Sequence, residues 1–167
     1  MSLFKQEVIM TKDECDLVLK KYKSQTQEYE TSSDKNFGYV SINVFEDEWI
    51  LRILLSFVEK ETNLKVEWHK PTKDFFKEFW LQTYQEGDRF NKHMDKYHGR
   101  KYALGVLLNT EFDGGDFICY KENEIHKFDK IIGNCYIFSV ELVHEVTKIT
   151  SGERNVLVMF VNENQIV

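Results

Sequence analysis

The residues most able to do chemistry are five histidines, His69, His93, His98, His126 and His144. Only His93 has an acid two residues on, in His93-Met94-Asp95. With 28 acids in 167 residues, about one such pair among five histidines is expected by chance, so the weight of this one lies in its geometry. On an extended segment residues i and i+2 point to the same face. His93 and Asp95 then aim an imidazole and a carboxylate at one point while Met94 turns away into packing. His144 follows 49 residues after Asp95, at the start of the β-rich run His144-Glu145-Val146-Thr147-Lys148-Ile149, and a barrel or sandwich can lay that run beside the first. Two imidazoles and one carboxylate on one side of an ion leave its other positions open, an arrangement that suits a non-haem Fe(II) oxygenase. A closed structural zinc site needs four protein ligands, and no cysteine stands at ligand spacing. His69, His98 and His126 read as exposed, and Glu145 as facing away from the metal.

Arg154 comes ten residues after His144, across the turn Ser151-Gly152. A hairpin centred near Ser151 sets Lys148 opposite Arg154 and puts Arg154 on the inward face with His144. The offset of four residues is roughly 13 Å along the strand, a gap that a short dicarboxylate held at the metal and the reach of a guanidinium can span. Arginine takes a carboxylate through two parallel hydrogen bonds, where lysine offers a point charge. In this register Val146 and Val156 wall the space between.

These residues need a rigid frame. Residues 4–9 read as a short strand. Thr11-Lys12-Asp13-Glu14 is a capping box, and Cys15, Val18, Leu19 and Tyr22 follow as one apolar helix face. Residues 24–38 read as a polar loop and Tyr39–Phe45 as a weakly alternating strand. A second helix is predicted over about 46–62, with Ile50, Ile53, Leu54, Phe57 and Val58 buried. After Pro71 short β-rich runs take over: Phe76–Gln85, Tyr102–Asn109, Asp116–Lys121, Glu124–Asp129, Cys135–Val140, Val143–Ile149 and Arg154–Asn162. Turn residues such as Asp113-Gly114-Gly115 and Gly133-Asn134 separate them. The expectation is a mainly β chain with supporting N-terminal helices, α+β overall. Residues 1–167 form one domain, of which 1–75 are the α-rich support and 76–162 the β core. Trp68 and Trp80 read as core.

Composition narrows the function classes. Apolar residues make up 42% of the chain and aromatics 14%, enough for a packed core and too many for a disordered chain. No stretch approaches the roughly 20 apolar residues of a membrane span, and the polar N-terminus does not read as a secretory signal. Three cysteines without a CxxC pair fit a reducing, cytoplasmic setting. The net charge of -6 argues against a nucleic-acid partner, which asks for a basic face.

Five stretches, LQTYQEGDRFNKHMD, YALGVLLN, FDGGDFICY, IFSVELVHEVTKI and TSGERNVLVMF, occur in an order that resembles the Fe(II)- and 2-oxoglutarate-dependent dioxygenases, specifically their prolyl 4-hydroxylase-like branch. The resemblance covers roughly residues 76–162. It implies a double-stranded β-helix, a cupin-like jelly roll with the metal near its mouth. By the same resemblance His93, Asp95 and His144 are the iron ligands, Arg154 holds the distal carboxylate of 2-oxoglutarate, and Tyr84 lines the cosubstrate pocket. Many relatives carry a tyrosine where this chain has Leu107; Tyr102 and Tyr84 are the alternatives for its contact. The implied enzyme is a hydroxylase using Fe(II), 2-oxoglutarate and O2, with ascorbate as an optional reductant and no general base. A prolyl residue of a peptide or protein is the implied substrate by analogy. The alternatives are a free amino acid or other small molecule, a nucleic-acid base in a basic, aromatic groove, and a non-catalytic metal-binding module of the same fold.

Overall fold

A computed structural model describes residues 3–67, 78–97 and 99–167. The expectations for Trp68, His69, His98 and the start of the strand at Phe76 lie outside them. In chain order the elements are β1 (Phe4–Val8), α1 (Lys12–Tyr22), β2 (Glu28–Thr31), β3 (Lys35–Ser41), α2 (Glu48–Thr62), β4 (Phe79–Tyr84), β5 (Arg89–His93), β6 (Arg100–Leu107) and β7 (Phe112–Gly114). There follow β8 (Phe117–Lys121), β9 (Glu124–Lys127), β10 (Asn134–Ser139), β11 (Val143–Val146), β12 (Ile149–Gly152) and β13 (Arg154–Asn162).

The strands form one antiparallel sheet in the order β1-β10-β6-β13-β4-β3-β5-β11-β8-β9, with β2 on β3 and a separate β12-β7 pair. The long sheet curls on itself. Phe117 of β8 and Tyr136 of β10, the ninth and second strands of that order, stack with ring centroids 4.0 Å apart. This is the expected mainly β jelly roll.

Alternation along the strands creates two cores. Leu104 and Val106 of β6, Cys135 and Ile137 of β10, and Leu157, Met159 and Val161 of β13 face the helices. The helices meet them with Cys15, Val18 and Tyr22 from α1 and with Ile50, Leu51, Leu54, Leu55, Phe57 and Val58 from α2. The capping box is present: Glu14 N–H donates to Thr11 Oγ1 at 3.1 Å and Thr11 N–H to Glu14 Oε1 at 2.9 Å. Helix α2 stops where Asn63 turns left-handed at φ 55°. The opposite positions, Ala103 and Leu107, Tyr136 and Phe138, and Val156 and Phe160, face inward with Tyr84, Phe117 and Val146.

Three local readings change. Residues 24–38 hold a hairpin, with β2 paired to β3 from Glu28↔Tyr39 to Thr31↔Asn36. Its alternating polar residues hide a strand because one of its faces is wet. The run Val143–Ile149 is divided between β11 and β12. The hairpin expected around Ser151 does not form, since β12 pairs with β7 and β13 pairs with β4 and β6. The chain changes sheets at Glu153.

Candidate metal centre

Strands β5 and β11 run antiparallel with His93 directly across from His144, so the two imidazoles meet on one face, centroids 4.2 Å apart. Asp95 follows the end of β5, where its N–H donates to Val140 O at 3.1 Å. One carboxylate oxygen then lies 3.0 Å from His144 Nε2 and the other 3.5 Å from His93 Nε2. One potential ligand atom from each residue lies within 4.8 Å of the others.

Each imidazole is oriented by its own strand. His93 Nδ1 sits 2.6 Å from Asn91 O, and His144 Nδ1 sits 2.9 Å from Leu142 O. An Nδ1–H donated to a carbonyl leaves Nε2 as the lone-pair face, the arrangement common to metal-binding histidines. Phe90 stacks on His93 at 3.5 Å and Phe138 packs against His144 at 4.6 Å. Burial works to raise the Asp95 carboxyl, but the imidazoles of His144 and His93 outweigh it and hold it well below the usual carboxylate range. A small, charged, pre-oriented donor set with one open side fits a divalent iron.

Arg154 opens β13 opposite Tyr84. It is 1% exposed, its guanidinium lies 5.3 Å from the Tyr84 ring centroid, and neither Nη1 nor Nη2 has a hydrogen-bond partner. An unpaired buried cation is costly, so two donors in one pocket with the triad fit the carboxylate of an anionic ligand. Space for the guanidinium stem comes from Gly115, at φ 62°, whose Cβ would lie 3.2 Å from Arg154 Cδ and 2.2 Å from Ile149 Cδ1. The residues beside Arg154 are clamped. Asn155 N–H donates to Asn109 Oδ1 at 2.8 Å, Asn109 Nδ2 donates to Glu153 O at 2.7 Å, and Thr83 Oγ1 donates to Asn155 Oδ1 at 2.9 Å.

The pocket that holds the triad is also lined by Arg154, Tyr84 and Val146. Val156 is not at its wall; it pairs with Leu107 and is buried in the inner core. Tyr102 is not brought there either. It has the same parity as Leu104 and Val106, and therefore points to the helix-side core. Tyr84 donates to Gln82 Oε1 at 3.2 Å. Sequence reasoning missed Gln82, Phe90, Phe117, Tyr136 and Phe138 at this pocket. Gln82 was legible as the residue two before Tyr84 on one strand face; the others needed the pairing of distant strands. Trp80, expected in the core, is half-buried and lines a groove of about 280 Å³ with Phe37, Tyr39 and Arg100. That groove shares Gln82, Phe90, Asp95 and Phe160 with the pocket.

Residues 79–162, half of the chain, match the model of the 2OG-Fe(II) oxygenase superfamily. None of the curated proteins matches. Among solved structures, a 2OG-Fe(II) family oxidoreductase from Burkholderia pseudomallei is similar at 17% identity and TM-score 0.76, over 99% of this chain and 87% of that one. A Pseudomonas putida prolyl-4-hydroxylase is similar at 15% identity and TM-score 0.72, over 96% and 92%. A Trichoplax adhaerens prolyl hydroxylase, solved with a hypoxia inducible factor peptide fragment, is similar at 16% and 0.73, over 98% and 84%.

Proposed function

This chain belongs to the 2OG-Fe(II) oxygenase superfamily, and we propose that it hydroxylates a C–H bond in a peptide or protein, with a prolyl residue as the leading substrate. The observation that carries the reading is the buried Arg154, whose two outer nitrogens have no hydrogen-bond partner, in one pocket with His93, Asp95 and His144. Fe(II) and 2-oxoglutarate, when bound, supply dioxygen activation and an oxidative decarboxylation that releases succinate and CO2.

The chain's own residues bind, orient and shield. His93 and His144 present Nε2 and Asp95 a carboxylate oxygen to the metal. Arg154 holds the distal carboxylate of 2-oxoglutarate, with the Tyr84 ring against its guanidinium and Val146 on the wall. Phe90, Phe117 and Phe138 exclude water from the metal side. No side chain acts as a general base. The whole chain works as one domain, residues 1–75 supporting the core of residues 76–162.

The groove beside the pocket receives the substrate. Its walls are aromatic, from Phe37, Tyr39, Trp80, Phe90 and Phe160. Its two cations are paired, Arg100 with Glu78 at 2.7 Å and Lys35 with Glu30 at 3.5 Å. Paired cations favour a peptide over a nucleic acid, whose phosphates need unpaired ones. The prolyl hydroxylases from Pseudomonas putida and Trichoplax adhaerens support the same choice by analogy.

The test is succinate formation by the Fe(II)-loaded protein with 2-oxoglutarate and ascorbate, against panels of peptides, free amino acids and oligonucleotides. Succinate rising with a proline-containing peptide, alongside that peptide gaining one oxygen, is the expected result. Stimulation by oligonucleotides or amino acids alone would overturn the peptide assignment, and no turnover with any panel would overturn the hydroxylase reading.

A further inference from the structure

Arg154 shares its end of the pocket with a second polar side chain. Tyr136 lies on β10 directly across from Gly105 of β6, and both face inward. A Cβ at Gly105 would stand 2.1 Å from Tyr136 Cζ and 2.1 Å from its hydroxyl oxygen. The phenol tip therefore lies over the bare backbone of Gly105, in space that any other residue would fill. The ring is held there from the facing strands, stacked on Phe117 at 4.0 Å with planes 9° apart, and edge-on to Phe128 at 4.5 Å. Tyr136 lines the same pocket as Arg154 and the three candidate ligands.

The surroundings of the hydroxyl are those of a waiting donor. Burial pushes the phenol up to about 12, with the charge of the Arg154 guanidinium and a hydrogen bond from it to the phenol oxygen pulling the other way, so the hydroxyl keeps its proton, and that proton to donate, at neutral pH. Among the described residues no hydrogen bond runs from this O–H to a protein acceptor. A buried phenol wants such a partner, and both outer guanidinium nitrogens of Arg154 want one as well. One carboxylate has lone pairs enough for all of them. The other tyrosine at the pocket, Tyr84, already donates to Gln82.

We infer that Tyr136 is a second anchor for the distal carboxylate of 2-oxoglutarate, donating its O–H beside the Arg154 guanidinium from the space that Gly105 leaves open. The inference rests on the reading of Arg154 given above. It also places the phenol on β10, where the sequence offered only Tyr84 on β4 and Tyr102 on β6 as replacements for a tyrosine at Leu107.

The test is calorimetric titration of Fe(II)-loaded protein, kept free of O2, with 2-oxoglutarate and with 2-oxobutanoate, which lacks the distal carboxylate. Tyr136→Phe keeps the ring stacked on Phe117 and removes only the hydroxyl. It is expected to weaken 2-oxoglutarate about 10- to 150-fold, the scale of a hydrogen bond to a charged group, and to leave 2-oxobutanoate unchanged. Gly105→Ala, which displaces the phenol, is expected to give the same selective loss. The ultraviolet difference spectrum on adding 2-oxoglutarate is expected to show a perturbed tyrosine in the wild type that Tyr136→Phe diminishes. Wild-type affinity for 2-oxoglutarate in Tyr136→Phe, or equal losses for both acids, would overturn the inference. A wild-type protein that prefers 2-oxobutanoate would instead overturn the assignment of Arg154.

Discussion

Two buried charged side chains in this molecule have opposite surroundings. Asp47, just before α2, is 8% exposed, and its carboxylate is fully engaged. It accepts from the Tyr22 hydroxyl, from Lys21 Nζ at 2.6 Å and from Trp49 Nε1 at 3.3 Å. Tyr22 in turn accepts from Asn43 N–H at 2.9 Å. Arg154 is 1% exposed, and its outer nitrogens meet no protein acceptor. A charge buried with its partners ties α1 to α2. A charge buried without them costs stability, and the cost is explained when a ligand completes it. The contrast separates a structural polar cluster from a binding site by physical criteria alone.

The largest expected effect lies at the metal. His144→Ala abolishes succinate formation and sharply weakens metal binding, because it removes a nearly buried ligand facing His93. Elemental analysis after desalting checks it, and full iron occupancy in a His93→Ala, His144→Ala double variant would refute the ligand set.

Arg154→Leu comes next, and its two consequences have opposite signs. Affinity for 2-oxoglutarate falls about 10- to 150-fold, read by calorimetry. Stability of the ligand-free protein in urea stays level or rises by about 1–4 kcal/mol, since an apolar side chain replaces a buried charge whose outer nitrogens have no acceptor. A destabilised variant with unchanged affinity would make Arg154 a structural residue.

Asp47→Ala is the mirror case. It strands the Tyr22 hydroxyl and the Trp49 N–H and costs about 1–3 kcal/mol, while the folded fraction binds 2-oxoglutarate as the wild type does. Equal loss of affinity would show the two regions to be coupled.

The smallest effect is in acid. Burial works to raise the Asp47 carboxyl, but Lys21 and Tyr22 hold it below its ordinary value. A depressed folded value contributes stability above the unfolded value and loses it as pH falls through the folded one. Urea midpoints measured downward from neutral pH are therefore expected to fall less steeply in Asp47→Asn than in the wild type. Parallel curves would remove Asp47 from the account.

The two regions also differ in what the sequence showed. Local patterns were legible: the Thr11 capping box, the apolar face of α2, and the pairing of His93 with Asp95 two residues apart. Membership of the pocket was legible where a residue belonged to a motif, as for Arg154 and Tyr84; Val146 does line the pocket, but it was placed there, with Val156, through a hairpin that does not form. Legibility failed where membership depended on which face a strand turns inward. Tyr102 and Tyr136 look equivalent in the sequence, each a tyrosine on an apolar strand. Parity sends Tyr102 to the helix-side core and Tyr136 to the pocket, and Gly105 gives Tyr136 its room. The β2–β3 hairpin was missed because its polar alternation reads as loop until β4 and β5 pair with β3.

The central claim is that His93, Asp95 and His144 hold one iron and Arg154 faces the ligand beside it. Anomalous diffraction at the iron edge, from crystals grown with Fe(II) and 2-oxoglutarate without O2, tests it most directly. The account predicts a single iron peak bonded to His93 Nε2, His144 Nε2 and an Asp95 oxygen, with the distal carboxylate of 2-oxoglutarate on the Arg154 guanidinium. An iron peak away from these three side chains, or a carboxylate held by other residues, would contradict it.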